Sequence, residues 1–159
     1  MAKYKIINGE GIIPNGTTEI ADNAFSWNYE LKSITIPTSV TKIGNRAFNE
    51  CWGLTSITIP NSVTKIGNWA FEGCTALTSI TIPNSVTKIG YEAFYECKNL
   101  KEIILFQTDP SKIKVSERSG LYKTQATLYV PNEGVAAFQK DSFWSECAAI
   151  KPITDDMLK

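Results

Sequence analysis

Three of the four cysteines recur every 23 residues, as Cys51, Cys74 and Cys97, and a row of thiols can hold a metal ion or form a disulfide. Because each cysteine ends the same local sequence, we expect one position of a repeated coil, with neighbours about 4.8 Å apart. The outer two, about 10 Å apart, cannot share an ion whose Zn–S bonds are about 2.3 Å. Parallel Cβ vectors at about 4.8 Å also exceed the usual Cβ separation of a disulfide. The spacing predicts buried free thiols without a metal.

The sequence lacks the residues that acid–base or nucleophilic catalysis usually requires. There is no histidine, which removes Ser–His and Cys–His nucleophile systems and most catalytic zinc sites. Carboxylates recur at outward positions of the repeat, at Glu50, Glu72, Glu92 and Glu96. A solvated face explains them better than paired-acid catalysis. Residues 9–11, Gly-Glu-Gly, lack the following helix that a phosphate-binding loop needs. We therefore expect neither enzyme activity nor a cofactor.

Charge and hydropathy narrow the possible partners. The 159 residues contain 16 basic and 16 acidic side chains, which gives a net charge of zero. This balance does not favour nucleic acid or an anionic membrane as the main partner, although a local charged patch is possible. No apolar run approaches the about 18 residues of a membrane helix, and the N-terminal segment lacks the apolar stretch of a signal peptide. The sequence suits an intracellular chain, or one whose export signal has been removed.

The elements that must position these side chains come from a repeat. Residues 31–99 are three copies of one sequence, LKSITIPTSVTKIGNRAFNECWG, LTSITIPNSVTKIGNWAFEGCTA and LTSITIPNSVTKIGYEAFYECKN. Such periodicity predicts one backbone coil repeated by stacking, so that equivalent residues lie over one another and Phe48, Phe71 and Phe94 form a column. One coil alone cannot offset the entropy of ordering its backbone. The coils therefore need neighbours, and both ends need caps.

Each copy begins with a predicted strand. In the first copy Ile34 and Ile36 alternate as residues on one inward face of a strand do. Pro37 follows at once, and because proline has no N–H to give a neighbouring strand, the ladder must stop there. The same order recurs in the other two copies, so the sequence predicts a parallel sheet with one strand from each coil.

The rest of each copy predicts a return segment and a turn. Val40 and Ile43 are spaced as in a second short extended segment. Gly44 ends that segment, and we expect it and its equivalents to have positive φ. The next residues, 47–51, hold Phe48 and Cys51 at helical spacing, which predicts one short helical turn. Each coil should therefore contain two strands and one helical turn.

The sequence outside the regular copies predicts caps. We expect one domain, with an N-terminal capping repeat (1–30), three regular repeats (31–99), a degenerate repeat and loop (100–126) and a C-terminal cap (127–159). An edge strand is predicted within residues 1–11. Residues 106–125 have no second strand at the expected place and predict an irregular loop. Residues 126–131 resume a strand, and Asn132 is predicted to N-cap a helix over about 133–139.

The repeat L-x-x-I-x-I-P-x-S-V-x-x-I-G-x-x-A-F-x-x-C resembles the BspA-type leucine-rich repeat, and the ending ATLYVPNEGVAAFQKDSFWSECAAI is similar to that family's strand, helix and Trp closure. The resemblance covers residues 12 to about 153. It implies a right-handed, mainly β solenoid with short helical turns and a C-terminal strand–helix cap. It also implies a cell-surface or secreted protein, in many cases bacterial, that adheres to host matrix proteins or to other cells.

Two outward rows could meet a ligand, and each has a plainer explanation. Small hydroxyls line the strands, beginning with Ser33 and Thr35, and such ladders usually serve β propensity and solubility. Lys42, Lys65 and Lys88 align on the return segment, with Glu19 at the same place in the first copy. Lysines in line suit an acidic partner, but protection of a sheet edge explains them equally well.

Residues that differ between copies mark the most informative surface, because scaffold positions have no reason to vary. Clustered Trp and Tyr near Arg are typical of protein interfaces. On this basis we predict a partner-binding patch of Trp27, Tyr29, Arg46, Trp52, Trp69, Tyr91 and Tyr95. The alternative is that these rings only cover the turns. The sequence thus indicates a non-catalytic protein-binding or adhesion module, or else a structural spacer with no ligand of its own.

Overall fold

The repeats stack as the coils of a solenoid, and each regular copy has one strand on each of two faces. The computed structural model describes residues 4–159. The strand face contains β1 (Lys5–Ile7), β2 (Glu10–Ile12), β4 (Ser33–Ile34), β6 (Ser56–Thr58), β8 (Ser79–Ile82), β10 (Glu102–Leu105), β12 (Thr127–Val130) and β13 (Ala149–Pro152). The return face contains β3 (Glu19–Ile20), β5 (Lys42–Ile43), β7 (Lys65–Ile66), β9 (Lys88–Ile89) and β11 (Lys114–Val115).

Apart from β1, the strands pair in parallel, and within each sheet a strand pairs with its counterpart in the neighbouring coil. Ser56 lies opposite Ser79, and Lys42 lies opposite Lys65, so a step of 23 residues leads to the same place one coil on. The return face is one five-stranded sheet in the order β11–β9–β7–β5–β3. The strand face holds two sheets, β13–β12–β10–β8–β6 and β1–β2–β4. The predicted parallel β-solenoid is confirmed.

A column of aromatic rings fills the middle of the coils. Phe25, Phe48, Phe71 and Phe94 stack with centroids 5.2–5.4 Å apart and ring planes within 7° of parallel. The side chain of Tyr4 stacks on Phe25 at 5.2 Å and extends the column. Offset stacking of buried rings adds about 0.5–1.5 kcal/mol per pair beyond the area that they bury. The predicted phenylalanine column is confirmed.

The predicted helical turn at residues 47–51 is wrong. The backbone N–H groups there alternate between local and inter-coil acceptors. Ala47 and Asn49 donate to carbonyls three residues back, whereas Phe48 donates to the carbonyl of Ala70 in the next coil at 2.8 Å. Arg46 and Glu50 have φ of 57° and 58°, in the left-handed region. These conformations turn every second N–H towards the neighbouring coil, where a helix would use them internally. The segment is a run of β-turns that joins the coils.

The glycines at the ends of the return strands have a different role from the one predicted. Gly44, Gly67 and Gly90 are not among the residues with positive φ. They allow close approach instead, because a Cβ on Gly44 would lie 2.6 Å from the carbonyl oxygen of Ile20. A Cβ on Gly67 would likewise lie 2.7 Å from the backbone of Gly44. The absence of a side chain allows the coils to approach this closely.

Residues 106–125 form part of a further coil, which corrects the prediction of an irregular loop. Strand β11 lies there and pairs with β9, with Lys114 opposite Lys88 and Val115 opposite Ile89. Lys114 follows its partner Lys88 by 26 residues, whereas paired residues of the regular copies are 23 apart. Because of the three extra residues, the strand does not fall at the position that the repeat predicts. They are accommodated around a 3-10 turn, Pro110–Lys112, whose start is capped by Asp109 accepting from the N–H of Ser111 at 2.9 Å.

The C-terminal segment covers the last coil. Strand β12 ends before Pro131, and a 3-10 turn (Asn132–Gly134) leads into helix α1 (Val135–Lys140). The predicted N-cap is wrong, because Asn132 lies inside the 3-10 turn and no side chain caps its start. Further 3-10 turns follow at Trp144–Glu146 and Asp155–Leu158. The buried rings of Phe138 and Trp144 meet at 5.8 Å and close the core.

The N-terminal end has the predicted edge strand. Strand β1 pairs antiparallel with β2, and β2 pairs in parallel with β4 of the first regular copy. Residues 1–3, part of the segment predicted to supply this strand, lie outside the described residues. Within residues 4–159 the one α-helix has six residues, far from the about 20 needed to cross a membrane.

Candidate protein-interaction surface

Three exposed aromatic side chains meet where the first two coils adjoin. The rings of Trp27 and Trp52 pack edge to face at 5.9 Å, and Tyr29 stacks on Trp52 at 5.8 Å. Their exposed fractions are 58% for Trp27, 62% for Tyr29 and 46% for Trp52. The indole N–H of Trp52 donates to Glu50 at 2.6 Å. We call Trp27, Tyr29 and Trp52 the aromatic cluster.

The turn backbone fixes the cluster in place. Trp27 has a φ of 65°, which is rare for a bulky side chain, and its N–H donates to the carbonyl of Asn49 at 2.9 Å. Asn49 is itself buried and accepts a hydrogen bond from the Ser26 hydroxyl. Tyr29 is held by an N–H bond to the carbonyl of Trp27 at 3.1 Å. The backbone beneath the exposed rings is therefore held by hydrogen bonds within the turn and to the next coil.

In a second group of predicted residues, the side chains contact one another and neighbouring charged residues. The Arg46 guanidinium lies 4.2 Å from the centroid of Trp69, whose ring packs edge to face on Tyr91 at 5.5 Å. The Trp69 indole donates to Glu92 at 3.0 Å, and Arg118 lies 5.3 Å over the ring of Tyr91. We call Arg46, Trp69 and Tyr91 the cation–π stack. Trp69 and Tyr91 are only partly exposed, so the stack offers less free ring surface than the aromatic cluster.

The seven residues predicted as one patch therefore lie in three places. Tyr95 is 46% exposed, and within residues 4–159 no aromatic pair joins it to either group. It lines a shallow depression of about 300 Å³ with Cys97 and Lys98. Sequence reasoning missed Arg118, which also forms an ion pair with Glu92 at 3.4 Å. The three-residue insertion had concealed the coil that holds it.

Comparison with known proteins identifies the family. Residues 11–151 match the model of the BspA-type leucine-rich repeat region, in six copies. The chain belongs to the BspA-type leucine-rich repeat family. No protein of curated function matches it significantly.

Solved structures of similar proteins share the fold of this BspA-type chain. The T. pallidum leucine-rich repeat protein TpLRR is 36% identical with a TM-score of 0.56, over 57% of this chain and 42% of its own. A leucine-rich cell surface protein of Faecalibacterium prausnitzii is 29% identical with a TM-score of 0.58, over 67% and 35%. The pneumococcal vaccine antigen PcpA matches in fold at 21% identity, with a TM-score of 0.68 over 89% and 34%. The chain spans less than half the length of each.

The BspA-type cysteines are thiols held in the core. Each sulfur of Cys51, Cys74 and Cys97 donates to a phenylalanine carbonyl of the preceding coil at 3.1 Å, and all four cysteines are free. Cys51 and Cys74 are buried as predicted, whereas Cys97 and Cys147 are partly buried. Burial raises the pKa of Cys51 and of Cys97 to about 12, and that of Cys74 well above its usual value. These thiols are therefore poor nucleophiles at neutral pH.

Some variable positions of the BspA-type repeat serve the scaffold, contrary to the premise of the sequence interpretation. The Oδ1 atoms of Asp22, Asn45 and Asn68 accept the backbone N–H one coil on, at 2.8–2.9 Å. Either Asp or Asn serves at this position because both carry the required oxygen. Variation between copies alone is thus an incomplete guide to a binding surface.

Two carboxylates of the turns accept hydrogen bonds from indole N–H groups, Glu50 from Trp52 and Glu92 from Trp69. Partial burial, helped by the nearby charges of Glu92 and Glu50, raises the pKa of Glu72. Within residues 4–159 no group of three or more Cys, Asp or Glu side chains has a geometry suited to a metal ion. The surface can therefore present aromatic, amide and charged groups to another molecule.

Proposed function

We propose that this chain is a non-catalytic protein-binding module of a bacterial cell-surface or secreted protein, and that the aromatic cluster contacts the partner. The observation that carries the proposal is the grouping of three half-exposed rings, Trp27, Tyr29 and Trp52, on a hydrogen-bonded turn. Trp and Tyr dominate the energetics of protein interfaces because they bury a large area at a small entropic cost.

The family supports the wider part of the proposal. A similar protein of Faecalibacterium prausnitzii is described as a cell surface protein. Resemblance to the family suggests a host matrix or cell-surface protein as the partner. The cation–π stack and Tyr95 belong to the proposed surface as its rim, where contacts contribute less than at a central cluster.

The test is binding of the chain to decellularised matrix from cultured human cells, measured for two triple variants. Trp27→Ala, Tyr29→Ala and Trp52→Ala together should weaken saturable binding by about 30-fold or more, the equivalent of about 2 kcal/mol. The matched control is Ile7→Ala, Tyr122→Ala and Leu158→Ala, which removes exposed apolar side chains outside the proposed surface. It should change binding by less than about threefold.

A structural spacer is the alternative function, and the same experiment distinguishes it. A spacer would show no saturable binding to matrix by the unmodified chain. If the cluster variant lost binding and melting temperature together, the rings would belong to the scaffold. A melting temperature within about 2 °C of the unmodified protein, with binding lost, supports the proposal.

A further inference from the structure

A row of four lysines crosses the middle of the return face. Lys42, Lys65, Lys88 and Lys114 lie opposite one another in successive strands, with Glu19 at the first position. The ladder spacing of about 4.8 Å places the four ammonium groups along about 14 Å. All four are exposed, and none takes part in an ion pair within the described chain. The sequence predicted three of them, and Lys114 joins through the unexpected strand β11.

Protection of a sheet edge does not explain this row. Strands β5, β7 and β9 are central in the order β11–β9–β7–β5–β3, so Lys42, Lys65 and Lys88 lie on strands that already pair on both sides. Like charges directly opposite one another also destabilise a sheet. The lysines therefore repel one another in the free protein, on strands where there is no sheet edge to protect.

The surface beside the lysines offers hydrogen-bond donors. Asn45 and Asn68 use Oδ1 to accept backbone N–H groups, which leaves their NH₂ groups for a ligand. These amides and the lysines line two adjoining depressions of about 190 and 340 Å³, which share Asn68, Lys88 and Gly90. Ammonium and amide donors together suit a ligand rich in anionic oxygen.

Acidic residues mark both ends of the row. Glu19 and Asp22 lie in the first coil, and Glu117 follows Lys114. Because the net charge of the chain is zero, attraction of an anion to this row is local and owes nothing to the charge of the whole molecule. A partner must therefore carry several charges in line within about three coil spacings.

We propose that the lysine row binds a sulfated polysaccharide lying along the axis of the solenoid. Its sulfates supply anionic oxygens in line, and its ring hydroxyls suit the Asn45 and Asn68 amides. An acidic peptide that adds to a sheet needs a free edge, and the row crosses the middle. Single-stranded nucleic acid needs exposed rings for stacking, and Tyr91, the ring beside the row, is already engaged by Trp69 and Arg118.

The test is affinity for heparin, with salt between about 50 and 300 mM. Lys42→Gln, Lys65→Gln and Lys88→Gln together should weaken binding by about tenfold or more and flatten its dependence on salt. The matched control, Lys32→Gln, Lys101→Gln and Lys140→Gln, makes the same change in net charge at exposed sites away from the row. It should change affinity by less than about twofold. Removal of in-register like charges should leave the melting temperature of the first variant unchanged or higher.

Several outcomes would overturn the proposal. These are equal losses in the two triple variants, no binding at the lowest salt, equal binding of chemically desulfated heparin, or tighter binding of polyglutamate or single-stranded DNA. The aromatic-cluster variant described above should bind heparin normally. That result separates this proposal from the protein-binding function, since either can fail while the other stands.

Discussion

The Oδ1 atom of Asn45 accepts a hydrogen bond from the backbone N–H of Asn68, 23 residues later in the chain, at 2.9 Å. Asn45→Ala should lower the free energy of unfolding by about 1–2 kcal/mol, because the N–H of Asn68 loses its partner. Asn45→Asp should cost clearly less, since Asp22 makes the same bond to Asn45 at 2.8 Å. Urea denaturation of both variants checks this, and equal losses would show that the bond does not matter.

Close approach between coils, and not positive φ, explains why residue 67 is glycine. Gly67→Ala should lower the free energy of unfolding by about 1–3 kcal/mol, because the added Cβ meets the backbone of Gly44 at 2.7 Å. Asparagine tolerates positive φ far better than alanine does, so it would rescue a glycine required for its conformation. We expect Gly67→Asn to be at least as destabilising as Gly67→Ala in urea denaturation. Recovery of stability by asparagine would refute the steric explanation.

The phenylalanine column should respond strongly to a gap in its middle. Phe71 is fully buried between Phe48 and Phe94, with both centroids 5.2 Å away. Phe71→Ala should cost about 3–5 kcal/mol, through lost burial and the cavity left behind. Tyr95→Ala, at a 46% exposed ring, serves as the control and should change stability by less than about 0.5 kcal/mol. Similar losses in the two variants would mean that the column is not a central part of the core.

Alkaline pH should destabilise the protein through its buried thiols. The pKa of Cys51 is raised to about 12, whereas a thiol in the unfolded chain has a pKa of about 8.5. Between these values the unfolded chain releases a proton that the folded chain keeps, so stability is complete below about pH 8 and falls as pH rises. The loss from Cys51 should be about 2 kcal/mol by pH 10.

A Cys51→Ala variant isolates this contribution. Urea denaturation between pH 8 and pH 10 should show that the variant loses about 2 kcal/mol less than the unmodified protein over that interval. The absolute stability at pH 8 corrects for the small cavity made by the substitution. Parallel pH profiles for the two proteins would show that Cys51 ionises in the folded state.

Whatever depended on the repeat period could be predicted from sequence. The column of Phe48 and its equivalents and the alignment of Lys42, Lys65 and Lys88 follow from stacking, whatever the conformation within a coil. Local conformation was harder to predict. The i, i+3 spacing from Phe48 to Cys51 suits both a helical turn and successive β-turns, and only the hydrogen bonds to the next coil decide between them.

The insertion before β11 and the contacts between outward side chains could not be predicted. A shift of three residues removes the match to the repeat, although Val115 still pairs with Ile89. Sequence reasoning placed the outward Trp and Tyr side chains of the turns in a single patch. It gave no means to distinguish Trp69, engaged by Arg46 and Glu92, from the freer Trp52. That distinction depends on side-chain geometry across coils.

The uniform step between coils also bears on how a gene for such a chain can change. Lys42 pairs with Lys65 in the same way as Lys65 pairs with Lys88, so the regular coils have equivalent neighbours. After in-frame duplication or loss of one regular repeat, each remaining coil therefore still packs against an equivalent neighbour. Unequal recombination between the near-identical repeats can therefore alter the length of the protein while both caps stay intact. Selection can then act on length separately from the chemistry of the surface.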